Sequence, residues 1–183
     1  ELGWELYIPI KDALKIYEQL VTVGKKFDLV HAGAHAMDIM RMEKGYLHWG
    51  HDISAAENPF EAGLGFAVKL NKADNFIGKE FLLGNKNIIK KKLVMLTLVD
   101  SFPGKPLLLH DEPIYYNNKI IGETTSGNFS FNYNKNLVFG YLNKNIDIEN
   151  CSEKLELEIA KKRYKVSLIN EPLHDPKNSF TKA

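Results

Sequence analysis

The stretch Ala32-Gly-Ala-His-Ala-Met-Asp-Ile-Met-Arg-Met-Glu-Lys-Gly-Tyr-Leu-His-Trp-Gly-His-Asp-Ile53 decides how the rest of the chain is read. Asn58-Pro-Phe-Glu-Ala-Gly-Leu-Gly-Phe-Ala-Val-Lys-Leu70 follows it closely. Residues Ala34 to Lys44 have helical spacing and meet a stop at Gly45. This predicts a helix with Ala36, Met37, Met40 and Met42 turned toward a core. Asp38 and Arg41 stand three apart and share a face. That spacing suits an exposed ion pair worth about 0.3 kcal/mol, and equally an anchor holding the helix at the floor of a cleft. Glu43 adds a second acid. An aromatic–histidine loop comes next, and Leu64 to Leu70 predicts a strand.

Two nearby signals lead nowhere specific. Gly63-Leu64-Gly65 lacks the third glycine and the following helix of a dinucleotide signature. Its glycines are read instead as points of close backbone approach. His31 and His35 are four apart, but Gly33 sits between them and no cysteine is near. No metal site is expected from them or from His48, His51 and Asp52.

Toward the N-terminus, Trp4, Leu6 and Ile8 alternate with Glu5 and Tyr7, which predicts a half-buried strand ended by Pro9. Asp12 to Val23 predicts a helix, with Ala13, Ile16, Tyr17, Leu20 and Val21 on its apolar face and Gly24 as its stop. Phe27 to Val30 is a short apolar link or strand. The chain opens at Glu1 in mid-element, so it is expected to be a fragment.

Toward the C-terminus, Ile77 to Leu83 predicts a short helix, and the character changes near residue 88. Leu93–Val99, Pro113–Tyr116, Lys119–Thr125, Leu137–Leu142, Lys154–Ile159 and Arg163–Ile169 are short β-like runs at roughly ten-residue spacing. Asn117-Asn118 suits a tight turn, because Asn tolerates positive φ. This half predicts a small antiparallel barrel or sandwich. The expected division is 1–88 and 89–183, with a loose tail from Pro176.

Composition narrows the function classes. The 183 residues are 44% hydrophobic, with 10 Phe, 8 Tyr and 2 Trp, enough to build a core. Lys plus Arg is 24 against 23 for Asp plus Glu, a net charge of +1. No nucleic-acid partner is expected from so balanced a charge. The run Lys90 to Lys92 is a solvated face or a local anion attractor. A single cysteine, Cys151, cannot form an internal disulfide. It fits a reducing, cytoplasmic setting, and nothing around it suggests a nucleophile. No apolar run approaches about 18 residues, so no membrane association is expected.

Several runs appear together in one order. They are Glu1-Leu2-Gly3-Trp4-Glu5-Leu6, Ala36-Met37-Asp38-Ile39-Met40-Arg41-Met42-Glu43-Lys44-Gly45, and Gly50-His51-Asp52-Ile53. After them come Pro59-Phe60-Glu61-Ala62-Gly63-Leu64, Val68-Lys69-Leu70 and Phe76-Ile77-Gly78-Lys79-Glu80. In the second half, Pro113-Ile114 is followed by Gly122-Glu123-Thr124-Thr125-Ser126-Gly127 and Gly140-Tyr141. Together they resemble the folate-binding aminomethyltransferase family. That family includes the glycine-cleavage T-protein and the C-terminal parts of dimethylglycine and sarcosine dehydrogenases.

The resemblance implies an α+β fold: the second half of a folate-binding aminomethyltransferase domain, followed by a small antiparallel β-barrel. It implies that Glu5 grips the pterin ring, whose paired donor edge a carboxylate accepts with two bonds. Tyr7, Arg41 and Trp49 complete the expected cofactor-binding residues. Met37 stands where the T-protein pattern has arginine. With Tyr46 and His48-Trp49, it favours the flavin-linked branch. The implied cofactors are tetrahydrofolate here and FAD in a part of the parent outside this chain. The implied partners are folate and an N-methyl amine. The implied parent is a one-carbon transfer enzyme. The family's catalytic aspartate lies outside this chain, so no catalytic residue is expected in it, neither Asp38 nor Asp52. The fragment itself is expected to be inactive. A stand-alone T-protein, a folate-dependent demethylase and a non-catalytic folate-binding or assembly protein remain alternatives.

Overall fold

A computed structural model describes residues 3–85, 88–100, 102–146, 154–180 and 182. Glu1 and Cys151, both singled out above, lie outside the described residues.

The element order is α1 (Ala13–Gly24), α2 (Ala34–Glu43), α3 (Lys79–Asn85), then β1 (Lys91–Leu98), β2 (Pro113–Tyr116), β3 (Lys119–Ser130), β4 (Lys135–Asn143), β5 (Leu155–Ile159) and β6 (Lys162–Ile169). The six strands close into an antiparallel barrel in the order β1-β4-β3-β2-β5-β6, with β6 returning to β1. Alternation does the sorting: Leu155, Leu157 and Ile159 of β5 are buried, and Glu156 and Glu158 between them are half-exposed. The interior holds Leu96, Ile114, Val138, Leu142, Leu157 and Val166, among others.

Turn chemistry closes the hairpins. Asn117 and Asn118 both have positive φ, 48° and 61°, as the tight turn between β2 and β3 requires. The β5–β6 turn adopts the same hand at Ala160 and Lys161, with φ of 48° and 64°. Neither residue signals it. The β3–β4 ladder changes register between Thr124 and Ser126, so Thr125 is an extra residue on β3. Gly140 on β4 allows that crossing: a Cβ there would stand 2.6 Å from the Glu123 carbonyl oxygen.

Helix α2 lies on the barrel wall. Ile39 and Met42 pack with Leu137 and Phe139 in a second apolar cluster, joined by Leu47, Met95, Ile169 and Leu173. The buried face differs from the expected one. Met42 is buried, but Met37 is 66% exposed and Met40 is also exposed. The polar anchors described below turn the helix so that Ile39, Met42 and Glu43 face the barrel. Gly45 (φ 77°) ends α2 where predicted, in a space so tight that a Cβ would meet Pro172.

Three other expectations change. Residues 3–9 form no strand, and Trp4 is 88% exposed. A strand needs a ladder partner, and among the described residues none lies beside this segment. Residues 64–70 make local bonds in place of a ladder: Ala67 N–H to Leu64 O at 3.0 Å and Val68 N–H to Gly65 O at 3.1 Å. The tail is tied down as far as Phe180. Asp175 accepts the Ser179 and Phe180 N–H groups at 2.6 and 3.2 Å, and His174 stacks on Phe180.

Candidate functional site

The polar centre of the chain is Asp52, 1% exposed. Its Oδ1 accepts Thr125 Oγ1–H at 2.6 Å and Ser126 Oγ–H at 2.7 Å. Its Oδ2 accepts the His48 N–H at 2.9 Å and a short bond from Arg41 Nη1. Its backbone carbonyl accepts Tyr141 O–H at 3.0 Å. A buried carboxylate is stable only when its charge is paired and its lone pairs are filled. Asp52 meets that demand with donors from α2, from its own loop and from β3.

Arg41 is filled just as completely. Nε and Nη2 donate to Asp38 Oδ1 at 2.9 and 2.8 Å, and Nη2 also donates to Ser126 Oγ at 2.8 Å. Nη1 donates to the Tyr46 carbonyl at 3.2 Å and to Asp52. Its guanidinium lies 5.5 Å from the centroid of the Phe139 ring. All five N–H donors are committed inside the chain, so none remains for a ligand. The anchor reading of Asp38 and Arg41 describes this geometry.

Neighbouring joints repeat the device. Glu43 accepts Ser130 Oγ–H at 2.6 Å and Asn132 Nδ2–H at 3.0 Å, and its carbonyl accepts the His174 N–H at 2.9 Å. Lys44 pairs with Asp175 at 3.0 Å. Burial acts to raise the Asp175 pKa. The Lys44 bond and charge, with the Ser179 and Phe180 N–H groups, outweigh it and hold the carboxyl below its ordinary value. Glu57 behaves alike: burial opposes ionisation, but Lys91 at 2.7 Å and Ser54 lower its pKa. Burial, and then the charges of Glu57, Asp52 and Glu61, push the Tyr141 phenol well above its ordinary range. It stays a donor to Asp52.

The expected ligand contacts sit at the surface. Glu5 accepts Tyr7 O–H at 3.0 Å, and both side chains are exposed. Trp49 is 67% exposed on the loop that Asp52 holds. No hydrogen bond or ring contact joins Glu5 or Tyr7 to Arg41 or Trp49 among the described residues. His31 meets Tyr17, and His48 lies tilted against His51 at 4.6 Å between ring centroids. Among the described residues no group of three His, Cys, Asp or Glu side chains could hold a metal ion. No described helix is long and apolar enough to cross a membrane. A separate groove of about 770 Å³ runs between the barrel and the 44–47 and 62–66 loops. Tyr46, Leu64, Phe66, Met95 and Phe139 line it, and Glu5, Tyr7, Arg41 and Trp49 do not.

Two family models match the chain. The GCVT N-terminal domain matches residues 1–72, and the glycine cleavage T-protein C-terminal barrel domain matches residues 91–175. The chain belongs to the glycine cleavage T-protein family. Human mitochondrial dimethylglycine dehydrogenase is 38% identical over 94% of the chain. The chain spans about a fifth of that protein's length, 20%. A mouse mitochondrial pyruvate dehydrogenase phosphatase regulatory subunit is 38% identical over 78% of the chain and 16% of its own length. The glycine cleavage system aminomethyltransferase T of Bartonella henselae superposes with a TM-score of 0.76 at 23% identity. That match covers 92% of this chain and 45% of that one, and it shows the shared fold.

The hydroxyl partners of Asp52 were missed from the sequence, although Thr124-Thr125-Ser126 was noticed as a motif. Their bond to Asp52 spans 73 and 74 positions. Consecutive hydroxyl residues beside a glycine were the one available hint.

Proposed function

We propose that this chain is the folate-facing, C-terminal part of a longer tetrahydrofolate-dependent one-carbon transfer enzyme of the dimethylglycine or sarcosine dehydrogenase type. The match to human dimethylglycine dehydrogenase over nearly the whole chain carries the reading. The division near residue 88 belongs to the proposal, with 1–88 completing a folate-binding domain and 89–183 forming its barrel partner. So does a reducing, cytoplasmic setting. The oxidising flavin belongs to another part of the parent.

The residues present fit a reduced pterin in one respect and not in another. Glu5 is an exposed carboxylate that can accept a paired donor edge, with Tyr7 and Trp49 as exposed aromatic surfaces. Arg41 has no donor to offer. Tetrahydrofolate, when bound, supplies the nitrogen that takes up the one-carbon unit. This chain's contribution is orientation: Glu5 fixes the ring edge, and Trp49 presents a flat apolar face on a loop held by Asp52. Fixing a reactant in this way is the proximity component of catalysis.

The test uses the full reading frame that contains this chain. With dimethylglycine or sarcosine, tetrahydrofolate should be converted to the 5,10-methylene form, and Glu5→Gln should raise the tetrahydrofolate KM. Amine oxidation with no folate product would sink the reading. The isolated chain should show no micromolar tetrahydrofolate binding by titration calorimetry. A second reading, a non-catalytic regulatory protein on the same scaffold, is favoured by the regulatory-subunit relative. Folate binding without turnover of any N-methyl amine would support it.

A further inference from the structure

We propose that the barrel sets the orientation of Trp49, through a hydroxyl clasp formed by Thr125 and Ser126 on Asp52. The inference rests on the folate reading for what Trp49 meets, but not for the clasp itself.

In a regular strand, successive side chains point to opposite faces. Thr125 and Ser126 are consecutive, yet both hydroxyls reach Asp52 Oδ1, at 2.6 and 2.7 Å. The register shift between Thr124 and Ser126 makes this possible, since an extra residue re-aims its neighbours. The other carboxylate oxygen takes the His48 N–H at 2.9 Å. One side chain thus joins the barrel to the residue immediately before Trp49.

The residue after Trp49 is also held. Gly50 has φ of 90° and donates its N–H to the Ile53 carbonyl at 2.8 Å. The His48 carbonyl accepts the N–H groups of His51 and Asp52 at 3.2 and 2.9 Å. The backbone on both sides of Trp49 is therefore fixed; the chain of constraint ends on Thr125, Ser126 and Tyr141 in the barrel and on Arg41 in α2. The two hydroxyls are not equivalent: Ser126 Oγ also accepts Arg41 Nη2–H at 2.8 Å, whereas Thr125 Oγ1 bonds Asp52, so the Thr125 variants read the clasp most directly.

The preceding residue does the same for a second loop. Thr124 Oγ1 donates to Glu112 at 2.7 Å and accepts the Glu112 N–H at 3.0 Å, and the Thr124 carbonyl accepts the Asp111 N–H at 2.8 Å. His110 then lies edge-on to His51, 6.5 Å between centroids. Three consecutive residues of β3 fasten two loops against each other. Thr125, Ser126 and Asp52 are positioning residues. None is offered as a ligand contact.

The chain has two tryptophans, so Trp4→Phe leaves Trp49 as the sole indole reporter. In that background, Thr125→Val with Ser126→Ala should enlarge the fast component of Trp49 fluorescence anisotropy decay and increase quenching by iodide. The open-loop population should rise about tenfold for each hydroxyl lost, the equivalent of one hydrogen bond to a charged group apiece. Thr125→Ser should restore the parent behaviour. All readings are taken well below the unfolding midpoint, so a lowered midpoint alone cannot produce them. Where the double variant does not fold, Thr125→Val and Ser126→Ala singly carry the same comparison. A folded hydroxyl-free variant with unchanged Trp49 anisotropy and quenching overturns the clasp, as does failure of Thr125→Ser to restore them. In the full reading frame, the double variant should weaken tetrahydrofolate binding. Loosened Trp49 in a parent that binds no tetrahydrofolate would support the clasp and overturn the folate reading.

Discussion

Asp52, buried, and Arg41, half-buried, are each valuable to the other because both are fully bonded. Removing one partner of such a pair strands the other charge. Asp52→Ala should cost about 3–5 kcal/mol, read as a lower urea midpoint with an unchanged slope. Arg41→Lys keeps the charge but cannot supply five donors in a planar fork. It should cost less, about 2 kcal/mol. If Arg41→Lys were neutral, the fork geometry would not matter and the anchor reading would fail. At Gly140 the objection is steric: the added methyl of Gly140→Ala would meet the Glu123 carbonyl oxygen at 2.6 Å and Ile114 Cδ1 at 3.0 Å. Residue identity made the Asp38–Arg41 pair legible, because i,i+3 spacing is local. It could not show that Asp52, Ser126 and Tyr46 use up the remaining donors of Arg41, since partners far apart in sequence leave no periodic trace.

The two long helices have opposite relations to the rest of the chain. Ile39 and Met42 of α2 are buried against Leu137 and Phe139, so Met42→Ala should cost about 2–5 kcal/mol. Helix α1 leaves Leu14, Tyr17, Leu20 and Val23 exposed. Leu20→Gln should therefore change stability by less than about 0.5 kcal/mol, read from the urea midpoint. A large loss of stability from Leu20→Gln would mean that the apolar face of α1 is covered in solution. The barrel strands were readable because each carries a period-two pattern bounded by turn residues. The N-terminal strand was misread for a related reason: alternation reports a tendency to pair, and pairing needs a neighbour. The face of α2 was misread because its methionines suggested a core. Asp38, which accepts Asn128 Nδ2–H of β3 at 3.2 Å, fixes its rotation together with Arg41, Glu43 and Lys44 through bonds to the barrel and tail.

For the molecule as a whole, acid should loosen the attachment between helices, loops and barrel. Asp175 and Glu57 both have pKa values below their ordinary 3.8 and 4.5 in the folded state. A depressed carboxylate stabilises the fold above its unfolded pKa, and that contribution disappears as pH falls through the folded value. Stability should be level near neutrality, begin to fall below about pH 4.5 and continue falling past 3.8. Urea midpoints measured across that range check this. Asp175→Asn should flatten the lower part of the curve, and an unaltered curve would remove the Lys44–Asp175 pair from the account.

The β5–β6 turn points in another direction. Ala160 and Lys161 occupy left-handed backbone that suits asparagine and glycine. The sequence there is unoptimised for the shape it must hold. Lys161→Gly, or Asn-Gly at both positions, should raise the melting temperature by the equivalent of about 1 kcal/mol. The turn is remote in sequence from Asp52 and Trp49. It offers an engineer a reserve of robustness that can be spent elsewhere, on substitutions in the clasp that the unaided fold would not survive.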